Sequence, residues 1–572
     1  MRLTSVVAVG ALATLLVTGC SAIPATFTAH VPTSGPIKQG DEVGGVRDDQ
    51  VIRVIARPPR PGMTQLQVVQ GFIDASASFD GDHAVARQYL TNQASSAWDT
   101  NAGVQIYQTA LTLTDLGGSV RATGPQTAVI SSIGRLSVSD PGANVTATFD
   151  LVKTDGEWRI SKTPAGLLLS QSDVDRSYRS YPVYFFNPDF QSLVPDPRMV
   201  PVSEAGTATT LTRALLSGPS EWLQPAVRTA FPAGVKLSID AVPVDNGVAH
   251  IDLTTDALTA DDTTRQAMSQ QIMWSLARVP DVKFVDITAG GQPFVVPGVS
   301  NPTPRGSWPA WDPNLLPAQT YAYAVGPNGV VSLVDGKSVP VAGAAGQGLR
   351  ALTQIAVAPG HESLAGIAAN GAVWRTRLSA DASFIRIRPP GSPTALAFGP
   401  GNAVWITDVT VTSVAPDGSS QQVDVTGLPR RAKLVKVVPS RDGTRAIVLF
   451  RRGGRVSMVM SRIVPATGSA ASIQVEAPQI LETSLVDVTD VAWASADSLA
   501  VLGSRTAGTV EVLALDAATG SFTAEGAPGQ PIEIAAAPGL PTLVGSSNGL
   551  IYAFSAGAWR EQVRAASPAY PD

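Results

Sequence analysis

Apolar positions between residues 61 and 180 first recur at helical spacing and then form short strand-like runs. Val69 and Phe72 lie one helical turn apart in the first of these segments, as on the buried face of a helix. Asp155-Gly156 separates two later apolar runs, and this dipeptide is the strongest short-range signal for a β-hairpin. Helices followed by an antiparallel sheet predict an α+β domain over residues 61–180.

A second mixed pattern covers residues 181–300. Gly218-Pro219 ends an apolar helical run, as expected where proline cannot continue a helix. The elements predicted here are strands at 183–186, 235–239, 248–253 and 282–287, and helices at 211–216 and 265–277. They indicate a second α+β domain.

The remainder repeats one pattern, an apolar strand, a turn and a second apolar strand, at intervals of roughly 40–50 residues. Five copies begin near Gln354, Thr394, Leu434, Val488 and Ile532. Residues 321–334 provide a sixth candidate. All-β repeats of this length predict a β-propeller over residues 321–572, with five to seven blades. Residues 301–320, in which Trp308 and Trp311 stand among prolines, are interpreted as a linker.

The N-terminal segment is apolar and ends at Cys20, the only cysteine among 572 residues. Arg2, about a dozen apolar residues and a small-residue end are typical of a secretory signal peptide, since a membrane-spanning helix needs about 20 apolar residues. Residues 17–20, Val-Thr-Gly-Cys, resemble the bacterial lipobox. That resemblance implies a lipoprotein signal peptide over 1–19 and S-diacylglyceryl and N-acyl groups on Cys20. The alternative is an ordinary signal peptide whose cleavage leaves a cysteine.

Composition agrees with an exported, anchored chain. An unpaired thiol outside the cell is exposed to oxidising conditions, and acylation would remove it by forming a thioether. Residues 20–60, rich in Pro, Gly, Thr and Asp, predict a lipidated tether. The net charge of −5 argues against a nucleic-acid partner.

Five segments of the second domain resemble, in order and spacing, the spore-germination GerMN domain. They read VYFFNPD, LTRALLSGPS, FPAGVKL, DNGVAHIDLT and MSQQIMWSLARVPDVKFVDI. The hairpin DGEWRIS of the first domain resembles cone-shaped nuclear-transport-factor-like domains. The complete order, from signal peptide and lipobox through two α+β domains to a propeller, resembles the LpqB family of actinobacterial lipoproteins.

The family resemblance implies a location and a partner. Members are lipid-anchored on the outer face of the cytoplasmic membrane and are thought to associate with the extracellular domain of a sensor histidine kinase. The resemblance therefore implies a non-enzymatic accessory role in two-component signalling and cell-envelope homeostasis.

Few residues point to catalysis. The four histidines lack zinc-ligand spacing, and no nucleophile elbow or phosphate-binding loop is present. We therefore expect no enzyme activity, cofactor or metal. His250 alternates with apolar neighbours and should lie on the polar face of a strand. Asp261 and Asp262 precede a helix, where N-capping is the simpler interpretation than cation or glycan binding.

A basic cluster near residue 440 is the most distinctive surface prediction. Nine of the 41 Lys and Arg residues fall here: Arg430, Arg431, Lys433, Lys436, Arg441, Arg445, Arg451, Arg452 and Arg455. These cations could lie on solvated turns and on strand edges, where their charge deters pairing with a strand of another chain. They could instead bind an anionic partner such as the kinase domain, lipid headgroups or acidic wall polymers.

The leading functional hypothesis is thus an anchored binding protein for a sensor kinase. The alternative is a cell-wall glycan-binding protein or hydrolase that uses a propeller pocket. Paired carboxylates and exposed tryptophans at the channel mouth would favour this alternative, whereas a channel lined by small apolar residues would favour the binding protein.

Overall fold

The computed structural model describes residues 56–202, 206–334, 336–466, 472–481 and 484–571. Residues 56–572 belong to one compact unit. Cys20 and the predicted tether up to residue 55 lie outside the described residues.

The first domain packs helices on a seven-stranded sheet. Its elements are α1 Gln65–Ser76, α2 Ala84–Arg87, α3 Asn92–Ala97, β1 Gly103–Tyr107, β2 Thr112–Asp115, β3 Ser119–Ser131, β4 Leu136–Val138, β5 Asn144–Thr154, β6 Glu157–Lys162, β7 Leu167–Ser170 and α4 Gln171–Ser177. The sheet order is β6-β5-β3-β1-β7, and β2 and β4 also pair with β3. Thr64 and Gln67 form a capping box that starts α1. Val69 and Phe72 are buried on its inner face, which confirms the predicted helix.

The predicted hairpin is also confirmed. Asp155 and Gly156 connect β5 to β6 with φ angles of 54° and 84°. Two successive positive φ values are typical of the type I′ turn, whose twist matches that of the flanking strands.

The second domain contains a two-stranded ribbon, a small sheet and two long helices. Its elements are β8 Tyr178–Phe186, β9 Leu193–Pro201, α5 Thr207–Leu216, β10 Val244–Asp245, β11 Val248–Leu253, α6 Asp262–Leu276, β12 Phe284–Ala289, β13 Gln292–Pro293 and β14 Thr303–Pro304, with short 3₁₀ turns at Gln224–Ala226 and Thr255–Thr259. β11 and β12 run parallel at the centre of the sheet. α6 begins at the cap provided by Asp261, whose carboxylate accepts from the Thr264 N–H at 2.8 Å.

Two interpretations of this region are wrong. Residues 235–239 follow β11 through one isolated bridge, Leu237 to Leu253, and do not form a regular strand. The segment departs from β11 after Ser238, and Ile239 is 68% exposed. Trp308 and Trp311 are not spacers, because both pack against the core of the second domain.

Six four-stranded sheets form the third domain within the described residues. Their strands are β15 Ala322–Gly326, β16 Gly329–Val334, β17 Lys337–Pro340, β18 Leu352–Val357, β19 Ser363–Ala368, β20 Val373–Arg377, β21 Ile385–Arg388, β22 Ala395–Gly399, β23 Ala403–Thr407, β24 Val411–Val414, β25 Ser420–Val425, β26 Lys433–Pro439, β27 Arg445–Arg452, β28 Arg455–Val464, β29 Ile473–Gln479, β30 Asp487–Trp493, β31 Ser498–Thr506, β32 Thr509–Asp516, β33 Phe522–Gly526, β34 Pro531–Ala535, β35 Thr542–Ser546, β36 Leu550–Ser555, β37 Ala558–Arg564 and β38 Ala566–Ala569.

The ring is a six-bladed propeller closed by strand exchange. β38 pairs with β15, so blade 1 combines three early strands with one late strand. Blades 3 and 4 are joined along their outer edges, because β25 pairs in parallel with β29. Trp405 and Trp493 are buried in blade strands, as expected for residues that fill the space between neighbouring sheets.

Candidate functional site

The predicted basic cluster divides into an exposed and an enclosed part. Lys433 and Arg451 are direct cross-strand partners at one end of blade 4. Arg452 and Arg455 are direct partners at the β27–β28 turn. Six cations are exposed at this end, which we call the basic end: Arg430, Arg431, Lys433, Arg451, Arg452 and Arg455.

Three members of the predicted cluster do not belong to this surface. Arg445 is only 3% exposed and donates to Asp442 at 2.5 Å. Lys436 lies in the channel of the propeller and donates to Asp490 at 2.6 Å. Arg441 is half-buried and donates to the carbonyl of Pro571 at 2.9 Å. The structure thus corrects the nine-residue surface to one of six, because the start of β27 and the centre of β26 face the protein interior.

The central channel is narrow, and both small apolar and charged side chains line it. It is lined by the innermost strands of all six blades and has a volume of about 60 Å³, room for a few water molecules only. Small side chains from five of these strands contribute to its wall: Ala356, Ala397, Ala492, Ala535 and Ala569. The wall therefore combines the small apolar residues expected of a binding protein with charged side chains from the same strands.

Three charged residues cross the channel, and sequence reasoning did not single out two of them, Asp490 and Glu533. Asp490 accepts from Lys436 and from the Ile534 N–H at 3.0 Å. Burial raises the pKa of Glu533, although the Ser567 N–H donates to its carboxylate at 2.8 Å and opposes the shift. These contacts connect neighbouring blades, and each charged group has a partner within the chain. The sequence pattern does not predict these contacts, because the charged groups come from strands that are 40 or more residues apart.

The space between α1 and the sheet of the first domain is also filled. Phe72 lies 4.9 Å from Trp98 and 5.8 Å from Phe149, measured between ring centroids. The remaining cavity is about 20 Å³. That volume suits about one water molecule and not an organic ligand.

The second domain has an open groove of about 1100 Å³ beside β11 and β12. His250 lies on the polar face of β11, as predicted, and its Nδ1 is 3.1 Å from Asp286 Oδ2. Asn301 donates to the other oxygen of Asp286 at 2.7 Å. Burial raises the pKa of Asp252, but donation from Gly291 and Thr288 outweighs it and holds the pKa below its ordinary value. The carboxylates of Asp252 and Asp286 are therefore held by neighbours in the chain.

The three domains meet at Trp222, which packs against the core of the second domain and against the core of blades 4 and 5. Its indole N–H donates to the carbonyl of Ala477 at 2.7 Å. Arg135 of the first domain stacks over the ring at 4.8 Å and lies 3.6 Å from the fully buried Asp196. Arg462 of the propeller donates to the Trp222 carbonyl at 2.7 Å. This contact fixes the two α+β domains on one end of the propeller.

The described residues hold neither a cluster of metal ligands nor a helix suited to a bilayer. They contain no group of three His, Cys, Asp or Glu side chains arranged as metal ligands. Among their helices, none combines the length and the apolar character that crossing a bilayer requires.

Two α+β domains joined to a six-bladed propeller with a narrow channel define a class of multidomain β-propeller proteins. Three sequence families match the chain: the N-terminal domain of lipoprotein LpqB over residues 58–175, sporulation and spore germination over 182–295, and the LpqB β-propeller domain over 328–571. The chain belongs to the LpqB family and is therefore a lipoprotein of the cell envelope.

Relatives named lipoprotein LpqB match along most of the chain. The protein of Thermobifida fusca is 30% identical over 97% of this chain and 98% of its own length. Those of Cutibacterium acnes and Streptomyces coelicolor are 28% and 26% identical, over 86% and 97% of this chain and 85% and 96% of theirs.

Solved structures are similar over single domains. TolB from Acinetobacter baumannii is 13% identical, covers 44% of this chain and 66% of its own, and has a TM-score of 0.34. The first GerMN domain of GerM from Bacillus subtilis is 22% identical, covers 22% of this chain and 98% of its own, and has a TM-score of 0.19.

Proposed function

We propose that this lipoprotein is a non-enzymatic accessory protein that binds the extracellular domain of an envelope sensor histidine kinase. In this proposal, acyl groups on Cys20 hold it on the outer face of the cytoplasmic membrane, and it modulates two-component signalling and cell-envelope homeostasis.

The closed propeller channel is the observation that carries the proposal. Propellers can hold ligands or reacting groups in the channel, but here alanine side chains and the Lys436–Asp490 ion pair occupy it. The space between α1 and the sheet of the first domain is filled as well. The outer surfaces of the three domains, including the open groove beside β11 and β12, then remain as the means of action, which supports protein binding.

Anchoring supplies the second part of the mechanism. Two partners held on one membrane meet at a raised effective concentration, so a modest interface is sufficient. Acylation at Cys20 provides more than one chain, and stable anchoring needs more than one.

Crosslinking of intact membranes followed by mass spectrometry tests the proposal. We expect a sensor histidine kinase among the crosslinked proteins, and we expect Cys20→Ala to leave the chain unprocessed or released, with that crosslink and the signalling response lost. Cys20→Ala with full signalling would refute tethered recognition. Recovery of muropeptide adducts in place of a kinase would support the glycan-binding alternative.

A further inference from the structure

The basic end of blade 4 places like charges directly against each other. Lys433 faces Arg451, and Arg452 faces Arg455, as cross-strand partners. Side chains in such positions have Cβ atoms about 5 Å apart, and like charges there destabilise a sheet. Among the residues that the structure describes, none of the six cations of the basic end forms an ion pair. The nearby carboxylate of Asp487 accepts from the backbone N–H of Val456.

Protection of a strand edge does not explain these charges. β27 and β28 are interior strands of the blade. The outer strand of blade 4 is β29, and its edge is already paired with β25. Arg451, Arg452 and Arg455 therefore lie on strands that have no unpaired edge to protect.

The basic end lies on the side of the propeller away from the other domains. Arg445, at the start of β27, lines the junction cavity together with Arg135 and Trp222. Arg452 ends the same strand seven residues later, at about 3.3 Å per residue, or about 23 Å away. Within the described part of the chain, neither α+β domain covers this end, and its six cations are exposed.

An exposed apolar side chain lies on the same side. Val409, in the turn between β23 and β24, is 88% exposed. Blades 3 and 4 begin side by side, because the Thr394 hydroxyl before β22 donates to the carbonyl of Val435 near the start of β26 at 2.7 Å. The β23–β24 and β27–β28 turns therefore emerge from the same end of neighbouring blades. Cations around an exposed apolar tip suit a membrane interface.

We propose that the basic end binds the headgroups of anionic phospholipids, with Val409 at the interface, so that the propeller lies with this end against the membrane. The inference rests on the membrane location in the proposed function but not on the kinase. A lipid-anchored protein stays within reach of such a surface, and an anionic membrane attracts clustered Lys and Arg within a Debye length of about 8–10 Å.

Vesicle binding by residues 56–572, the compact unit, without any acyl group tests this inference. We expect sedimentation with phosphatidylglycerol vesicles but not with phosphatidylcholine vesicles, and weaker binding as salt is raised. Each Lys or Arg contributes about fivefold to the partition coefficient. The triple variant Arg451→Gln, Arg452→Gln and Arg455→Gln should therefore lose roughly 100-fold.

A matched triple variant controls for net charge. Lys162→Gln, Lys236→Gln and Arg377→Gln remove three exposed cations that lie away from the basic end, and we expect nearly unchanged vesicle binding. Equal loss in both triple variants, or no preference for phosphatidylglycerol, would overturn the inference. Loss of the kinase crosslink in the first triple variant with vesicle binding intact would assign the basic end to a protein partner instead. A missing kinase crosslink with vesicle binding intact would count against the proposed function alone.

Discussion

Charged side chains of the propeller differ in what surrounds them, although they are adjacent in sequence. Arg445 and Arg451 are six residues apart on one strand, yet the first is buried against Asp442 and the second is exposed at the basic end. An even spacing along a strand places both on the same face, so strand periodicity does not distinguish them. Their surroundings differ because one end of the blade meets the second domain and the other does not.

The buried Asp442–Arg445 pair gives a prediction on stability. Burial raises the pKa of Asp442, but the Arg445 guanidinium and hydrogen bonds from Thr444 and Ser440 outweigh it and hold the pKa below 3.8. Asp442→Ala leaves a buried guanidinium without its carboxylate, and we expect the free energy of unfolding to fall by about 3–5 kcal/mol. Urea unfolding at pH 7 measures this change.

The contribution of Asp442 to the free energy of unfolding depends on pH in one direction. Because the folded pKa of Asp442 is depressed, its contribution is present above pH 3.8 and is lost as the pH falls through the folded pKa. The gap between wild type and Asp442→Ala should therefore narrow below about pH 4. Asp417→Ala, at an exposed turn, is the control and should change little at pH 7. A similar small effect for Asp442→Ala would show that the pair contributes no net stability.

Local patterns predict elements whose partners are close in sequence. The Asp155-Gly156 turn and the capping of α6 by Asp261 are decided within a few residues. Residues 235–239 have the composition of a strand. Their only possible partner nearby is β11, which follows after a turn, and just one isolated bridge forms with it among the described residues. Pro243 has no N–H to donate there, and the backbone bulges after Ser238. Composition alone could not show that irregularity.

The β5–β6 turn provides a prediction for an element. Gly156 has φ of 84°, and no atom lies near the position that a Cβ would take, so Gly156→Ala introduces backbone strain and no clash. We expect a loss of about 1 kcal/mol in the free energy of unfolding. Gly391→Ala is the matched control, because Gly391 has an ordinary φ and open space; it should be neutral or slightly stabilising. Equal effects measured by thermal unfolding would contradict the strain argument.

The arrangement of the three domains depends on contacts that no local pattern reveals. Trp222 and Ala477 are 255 residues apart, and Arg135 and Gln479 are 344 apart. The repeat pattern predicts a propeller of five to seven blades, and the structure has six in its described residues. The closed channel and the six-residue basic end follow from which faces meet, which requires the assembled fold.

Trp222 gives a prediction for the whole molecule. Trp222→Ala removes the hydrogen bond to Ala477, the stacking with Arg135 and packing on two cores. The hydrogen bond contributes about 1 kcal/mol to the contact between the domains, and the packing contributes more. Their loss should raise the population of molecules in which the second domain has separated from the propeller about tenfold or more. Limited proteolysis between the second domain and the propeller measures it.

Another tryptophan provides the control for this prediction. The Trp559 indole N–H donates to the backbone carbonyl of Glu525 within the propeller at 2.9 Å, and Trp559→Ala should leave the cleavage between domains unchanged. Equal cleavage rates for the two variants would show that Trp222 does not hold the domains together.

The closure of blade 1 has a consequence for how the protein is made. β38 supplies the innermost strand of a blade whose other three strands span residues 322–340, so about 225 residues separate the two parts of that blade. During synthesis the early strands are made first, and the edge of β15 that β38 covers is then still unpaired. The ring becomes complete only when β38 pairs with β15, so the propeller cannot close before residues 566–569 have been made.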